Sequence, residues 1–290
     1  MKVTVIGASG FVGRHLVRSL VRRGDDVIAA SVRGGVESAA QACDGADAAV
    51  FLAGESIAQR WTGAARRRIG ESRVDSTRSL VARFAQLDSP PKAYVSASAI
   101  GYYPTSESET YDETSPAGDH FLARLCVAWE AAAEEATSTR TRVALIRTGL
   151  ALGTDGGTLK ALLPVFRLGL GGPVASGRQW YSWIHIDDLV GIYLMAIDSI
   201  GGALNATAPN PVRNAEFTRE LANALHRPAF LPVPSFALGL MLGEAAEIAT
   251  RGQRVLPERT IANGYRFKFE TLDAALSHLI SCNANFAADV

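Results

Sequence analysis

Gly7, Gly10 and Gly13 stand in the run VIGASGFVG, between an apolar stretch and a segment with helical spacing. Three glycines in that pattern let a strand turn sharply into a helix, let backbone approach a pyrophosphate, and let helix and strand pack closely. The helix start adds unpaired N–H groups and a partial positive charge, both suited to phosphate. The expected chemistry is dinucleotide binding by Gly7, Ser9, Gly10, Phe11, Val12 and Gly13. An acidic residue about 20 positions past such glycines would hold a ribose 2′-hydroxyl. The chain has ASVRGG there, with no Asp or Glu between Asp26 and Glu37. Arg33 suits a 2′-phosphate, so NADP is expected and NAD less so.

A second group of candidates lies in SASAIGYY, residues 96–103. Tyr102 and Tyr103 follow Ser98 closely and fall at the carboxyl end of a strand, where open α/β sheets place their chemistry. Their phenols are candidates for proton transfer. His185, Asp187 and Asp188 precede an apolar helical run and read as a helix cap rather than a metal site. Asp119 is the expected N-cap of the next helix, and Arg66, Arg67 and Arg68 read as a solvated helix face.

The elements that must position these groups are legible from periodicity. Apolar runs at VTVIG (3–7), VIAAS (27–31), AAVFLAG (48–54), AYVSAS (93–98) and VALIRT (143–148) alternate with longer segments of helical spacing. Val12, Leu16, Leu20, Val17 and Val21 are expected to form one apolar face of the first helix. Strands that are apolar throughout, each followed by a helix, predict an α/β fold: a doubly wound parallel sheet of the Rossmann kind with a smaller C-terminal lobe. The expected division is a nucleotide-binding domain over 1–155, with 179–207 returning to it, and a substrate lobe from 156–178 and 208–290. Helices are expected near 214–226, 235–250 and 271–281.

Bulk properties narrow the function classes. The 29 basic and 29 acidic residues balance, so no global field recruits nucleic acid or an anionic membrane. Cys43, Cys126 and Cys282 are odd in number and widely spaced, against a disulfide framework or a zinc site. The apolar stretch PSFALGLML ends at Glu244, well short of the ~20 residues of a membrane helix. The chain runs from Met1-Lys2 directly into a strand-like segment. A cytoplasmic protein with a small-molecule substrate, without membrane or nucleic-acid partner or metal, is expected.

GASGFVG, FLAG at 51–54, SASAIGYY and SWIHIDDL at 182–189 together resemble the extended short-chain dehydrogenase/reductases, the NAD-dependent epimerase/dehydratase superfamily. LAGESIAQRWT, ESRVDSTRSL, FLARLCVAWE, NAEF and GQRVLP narrow the resemblance to the uncharacterised "epimerase family protein" group, called cell-division-inhibitor-like, of bacteria and animals. The resemblance spans residues 1 to about 280. It implies a Rossmann domain, bound NADP and, by analogy, a homodimer. Leu52, Ala53 and Gly54 would line the adenine and ribose side, and Ser98 would match the catalytic serine.

The same resemblance exposes two losses. The superfamily's Tyr-x-x-x-Lys pair, anchored on Glu130, falls on Leu122 and Cys126 in FLARLCVAWE. A leucine cannot pass a proton and a thiol is no substitute for a lysine that lowers a phenol's pKa. Leu122, Leu125, Cys126, Trp129 and Ala133 instead read as an apolar helix stripe. The arginine that would grip a substrate diphosphate falls on Tyr181, and an expected asparagine falls on Leu150. The substrate is therefore expected to be small and non-nucleotide, held by Arg178, Gln179 and Trp180, with Ser98 orienting it and Tyr102 or Tyr103 supplying the proton. Two functions stay open: an NADP-dependent oxidoreductase or epimerase, and a non-catalytic NADP-binding sensor or scaffold.

Overall fold

The computed structural model describes residues 1–288, with side chains throughout that span except at Ala237 and residues 282–288, so the Cys282 thiol lies outside the described residues. Six strands form the central sheet: β1 (Lys2–Ile6), β2 (Asp26–Ala30), β3 (Ala48–Phe51), β4 (Ala93–Ala99), β5 (Arg142–Thr148) and β6 (Gly202–Ala206). All pair in parallel, in the order β2-β1-β3-β4-β5-β6. The chain leaves β1 toward β2 on one side and crosses back to β3 on the other. The β1/β3 boundary is thus the topological switch point, where such sheets open a ligand crevice at the carboxyl ends of the strands.

Eight helices up to residue 225 matter here: α1 (Phe11–Arg23), α2 (Val36–Gln41), α3 (Gly63–Gly70), α4 (Ser76–Phe84), α5 (Phe121–Glu134), α6 (Gly157–Arg167), α7 (Ile186–Asp198) and α8 (Asn214–Leu225). Alternation within the apolar strands sends successive side chains to opposite faces. Val3, Val5, Ala48 and Val50 pack with Leu16, Leu20 of α1 and Leu189 of α7, whereas Ile6, Ala49 and Phe51 pack with Ala39, Leu80, Phe84 and Trp129 of α2, α4 and α5. Within α1 the expected stripe narrows, because Val21 turns to solvent while Leu16 and Leu20 are fully buried. Its end is fixed by Gly24 at φ 86°, the left-handed cap that glycine adopts without strain.

The expected helix over 235–250 is broken into Ser235–Leu242, a 3₁₀ turn at Gly243–Ala246 and a short helix at Glu247–Thr250. Gly243, at φ 59° and ψ −136°, ends the first piece. Two short strand pairs stand apart from the central sheet: Arg254–Val255 lies parallel to Thr110–Tyr111, and Leu150–Leu152 lies parallel to Trp183–His185. Both bring residues distant in sequence to the carboxyl end of the sheet.

Candidate functional site

A cavity of about 490 Å³ opens at the switch point. Of the residues expected to hold a dinucleotide, Gly7, Gly10, Phe11, Val12, Gly13, Leu52, Ala53 and Gly54 line it. Gly10 N donates to Gly7 O at 3.0 Å, closing the turn. A Cβ on Gly7 would stand 2.9 Å from Ala53 N, and one on Gly13 would stand 2.3 Å from Gly7 O. Neither position admits another residue without moving backbone. The N-cap of α1 is Gly10, with no side-chain cap, so its first N–H groups are left for a ligand. The turn fits a pyrophosphate.

Ser9 and Arg33 stand apart from the cavity wall. Ser9 is exposed, and its carbonyl accepts from Arg14 at 3.0 Å. Arg33 sits in the 3₁₀ turn Val32–Gly34 directly after β2, its N–H capped by Ser31 Oγ at 3.2 Å. Its exposed guanidinium makes no hydrogen bond or ion pair among the described residues. A further clasp was not foreseen from the sequence. The Phe11 ring lies where a Cβ on Gly153, Gly156 or Gly157 would come within 2.5, 2.3 and 2.9 Å of it. Asp155, in the same loop, bonds His15 at 3.0 Å and Arg14 at 3.3 Å. The loop before α6 is thereby locked onto the glycine turn; the GTDGG run at 153–157 was the available signal.

Ser98, on β4, lines the cavity and donates to Glu130 Oε1 on α5 at 2.6 Å. Arg147, from β5, holds both Glu130 oxygens, at 2.9 Å from Nε and 2.7 Å from Nη2. Its Nη1 donates to the Tyr103 hydroxyl at 2.9 Å, which donates to Asn205 Oδ1 at 2.7 Å. Burial by itself would lower the Arg147 pKa, but Glu130 and Tyr103 more than reverse this and it is raised. Tyr102 stacks under the same guanidinium, 3.5 Å from ring centroid to Cζ. Neither Tyr102 nor Tyr103 lines the cavity. Tyr103 is fully buried, and burial pushes its pKa up to about 12 despite Arg147. The two phenols brace a buried ion pair behind the cavity wall, which is where the expectation of a phenol facing substrate departs from the structure. Arg147 carried no motif.

On α5, Leu122, Leu125, Cys126 and Trp129 line the cavity, and Leu125, Cys126 and Trp129 are buried. Burial pushes the Cys126 thiol up to about 12, with Glu130 adding to the shift, so it stays protonated. The N-cap of α5 is His120 rather than Asp119, whose carbonyl accepts from Arg124. His120 lines the cavity, and burial lowers its pKa against a smaller opposing pull from Glu247.

The expected substrate residues diverge. Trp180 reaches the cavity, its Nε1 fixed on Glu107 O at 2.9 Å and its ring 3.7 Å from the Arg213 guanidinium. Gln179 is buried outside it, holding Val174 O at 3.1 Å and Ala249 O at 2.8 Å. Arg178 is exposed, paired with Glu107 at 2.8 Å, and away from the wall. Tyr181 and Leu150 both line the cavity. His185, not the aspartates, caps α7, its Nδ1 accepting from Asp187 N at 3.0 Å. Asp188 instead ties the start of α7 to residues 268–269, accepting from the N–H of Lys268 at 2.8 Å and of Phe269 at 3.0 Å.

A doubly wound sheet with a glycine turn at its switch point defines a nucleotide-binding α/β protein. Residues 3–206 match the NAD dependent epimerase/dehydratase family, to which the chain belongs, and residues 233–279 match a domain of unknown function, DUF1731. The human epimerase family protein SDR39U1 is 40% identical over 294 residues, covering 97% of this chain and 100% of that protein. Epimerase family protein YfhF of Bacillus subtilis is 36% identical over 299 residues, covering 97% and 98%. The Arabidopsis thaliana homolog of SDR39U1, described as chloroplastic, is 41% identical over 298 residues, covering 95% and 86%. The crystal structure of human SDR39U1, isoform 2, with NADPH superposes with a TM-score of 0.91 at 38% identity, covering 97% of this chain and 99% of that one. A nucleoside-diphosphate sugar epimerase from Corynebacterium glutamicum superposes at 0.80 with 34% identity, covering 99% and 60%. Among the described residues no helix is long and apolar enough to cross a membrane.

Proposed function

We propose that the chain is an NADP-binding oxidoreductase- or epimerase-like protein acting on a small carbonyl or hydroxyl compound. One observation carries this reading: the glycine turn and Ser98 share one cavity. The human relative crystallised with NADPH supports the cofactor, as does Arg33, free at the end of β2 where no carboxylate stands. NADPH, when bound, supplies hydride. Ser98 donates its hydroxyl hydrogen bond to Glu130, so its oxygen can accept from a substrate hydroxyl and orient it. His120, with its pKa below the usual 6.5, is a neutral base at pH 7 on the same wall. Trp180 and Leu122 give the substrate an apolar seat, without a grip for a nucleotide diphosphate at Tyr181 or Leu150.

The second reading, a non-catalytic NADP-binding sensor or scaffold, is favoured by Leu122 and Cys126, which put apolar groups on the wall where the resemblance places a tyrosine and a lysine. Calorimetric titration with NADPH, followed by NADPH consumption assays over small aldehydes and ketones, separates the two. Turnover that falls at least ten-fold in Ser98→Ala supports the enzyme. Tight NADPH binding without turnover across the series favours the sensor, and no NADPH binding overturns both.

A further inference from the structure

Among the described residues, several arginines that reach into the interior are held by close polar contacts. Arg147 is bidentate on Glu130. Arg142 donates to three carbonyls, Ala196 at 2.6 Å, Ile200 at 2.6 Å and Ile197 at 2.8 Å. Arg259 holds Ala203 O and Gly201 O, each at 2.7 Å. Arg73 differs. It lines the cavity, yet among the described residues its guanidinium makes two hydrogen bonds, to Ile69 O and Ser72 Oγ, both at the 3.5 Å limit. No carboxylate pairs with it among the described residues; Glu55, the acidic group whose charge it feels, is itself 3.6 Å from Arg68. Arg73 is half-buried, and most of the five N–H donors of its guanidinium meet no partner among the described residues. Burial accordingly lowers its pKa, with Cys126 and Glu55 only partly opposing.

The local backbone serves this placement. Arg73 sits in a π-helical stretch, Glu71–Asp75, between α3 and α4. Such widened turns re-aim side chains and occur preferentially at functional sites. Gly54, just past β3 on the cavity wall, makes room for it: a Cβ there would lie 3.0 Å from Arg73 Cζ. On the other flank its Cζ is 5.4 Å from the Trp129 ring centroid.

We propose that Arg73 is an anion-binding residue, whose guanidinium takes a pair of oxyanion oxygens on the molecule occupying the cavity. This rests on the reading that the cavity holds a dinucleotide and a small substrate. The oxyanion comes either from the cofactor pyrophosphate or from a carboxylate or phosphate on the substrate, both of which a planar guanidinium meets with paired, charge-assisted hydrogen bonds.

Arg73→Met and Arg73→Lys test it. Urea unfolding of the ligand-free proteins comes first: Arg73→Met should unfold at the same or a higher midpoint, because a half-buried cation without a carboxylate partner is removed. Calorimetry with NADPH and with inorganic pyrophosphate, and thermal shifts of the NADPH-loaded protein with pyruvate, 2-oxoglutarate, citrate and phosphate, then read the ligand. A loss of ten-fold or more in NADPH and pyrophosphate affinity in Arg73→Met, partly restored in Arg73→Lys, assigns the oxyanion to the cofactor. Unchanged NADPH affinity with abolished carboxylate or phosphate stabilisation assigns it to the substrate. The proposal is overturned if neither response depends on residue 73, or if Arg73→Met lowers the unfolding midpoint while NADPH affinity and anion responses hold. A wild-type protein that binds pyrophosphate through Arg73 but not NADPH would sink the cofactor reading alone.

Discussion

Ser98 and Glu130 are joined by a 2.6 Å hydrogen bond that ties the wall of the cavity to a buried ion pair. The serine on β4 cannot turn its proton to a ligand without breaking the bond to α5, and α5 cannot shift without disturbing Arg147 on β5. Three neighbouring elements thus set the orientation of one hydroxyl.

Removing one partner of that ion pair should be far more damaging than removing both. Arg147→Met leaves the Glu130 carboxylate, 6% exposed, without its cation, at a cost of about 3–5 kcal/mol. Combining it with Glu130→Gln should recover part of this loss. Urea unfolding of the two single variants and the double variant provides the cycle; strictly additive losses would mean that the pair is not coupled.

Arg33 lies free beside the expected ribose position, so Arg33→Glu should reduce the preference for NADP over NAD by ten-fold or more, by repelling a 2′-phosphate and accepting from a 2′-hydroxyl. Calorimetric titration of both cofactors checks this. An unchanged ratio would place the 2′-phosphate elsewhere.

Placing a tyrosine at position 122 and a lysine at position 126 should not create chemistry. Cys126 is 2% exposed, and a lysine there would be desolvated in a wall that already carries the Arg73 cation. Leu122→Tyr/Cys126→Lys should lose several kcal/mol of stability and gain no reductase turnover. Turnover at an undiminished melting temperature would show that the cavity still accommodates the pair.

Stability should fall on mild acidification through His185. Burial, with His278 and Lys268 adding to it against Asp187, lowers its pKa from the ordinary 6.5 to about 4. Between those values the unfolded chain binds the proton and the folded one resists it. Stability therefore decreases as pH drops from about 6.5 toward 4, by on the order of 3 kcal/mol at the lower end. His185→Asn keeps a capping oxygen for Asp187 N and should flatten that part of the profile in urea titrations at pH 7.5, 6 and 5. An equally steep decline in the variant would assign the effect to other groups.

What the sequence determined by itself is local. The strand segments, the glycine turn and its helix follow from periodicity and from backbone demands on single positions, while Leu122 and Cys126 are read directly at the places where the resemblance puts a tyrosine and a lysine. These need no partner from elsewhere in the chain. Tertiary structure decided what each polar side chain meets. Tyr103 and Asn205 are 102 positions apart, Ser98 and Glu130 32, and Asp155 and His15 140. No spacing rule links such pairs, and the two tyrosines read as candidates for proton transfer lie against Arg147, off the cavity wall. Arg73, which lies in the ESRVDSTRSL run without a role read from the sequence, stands on the cavity wall in a π-helical turn. A side chain's chemical role depends on its burial and on whether its hydrogen bonds are already taken, and both are fixed only when distant segments pack.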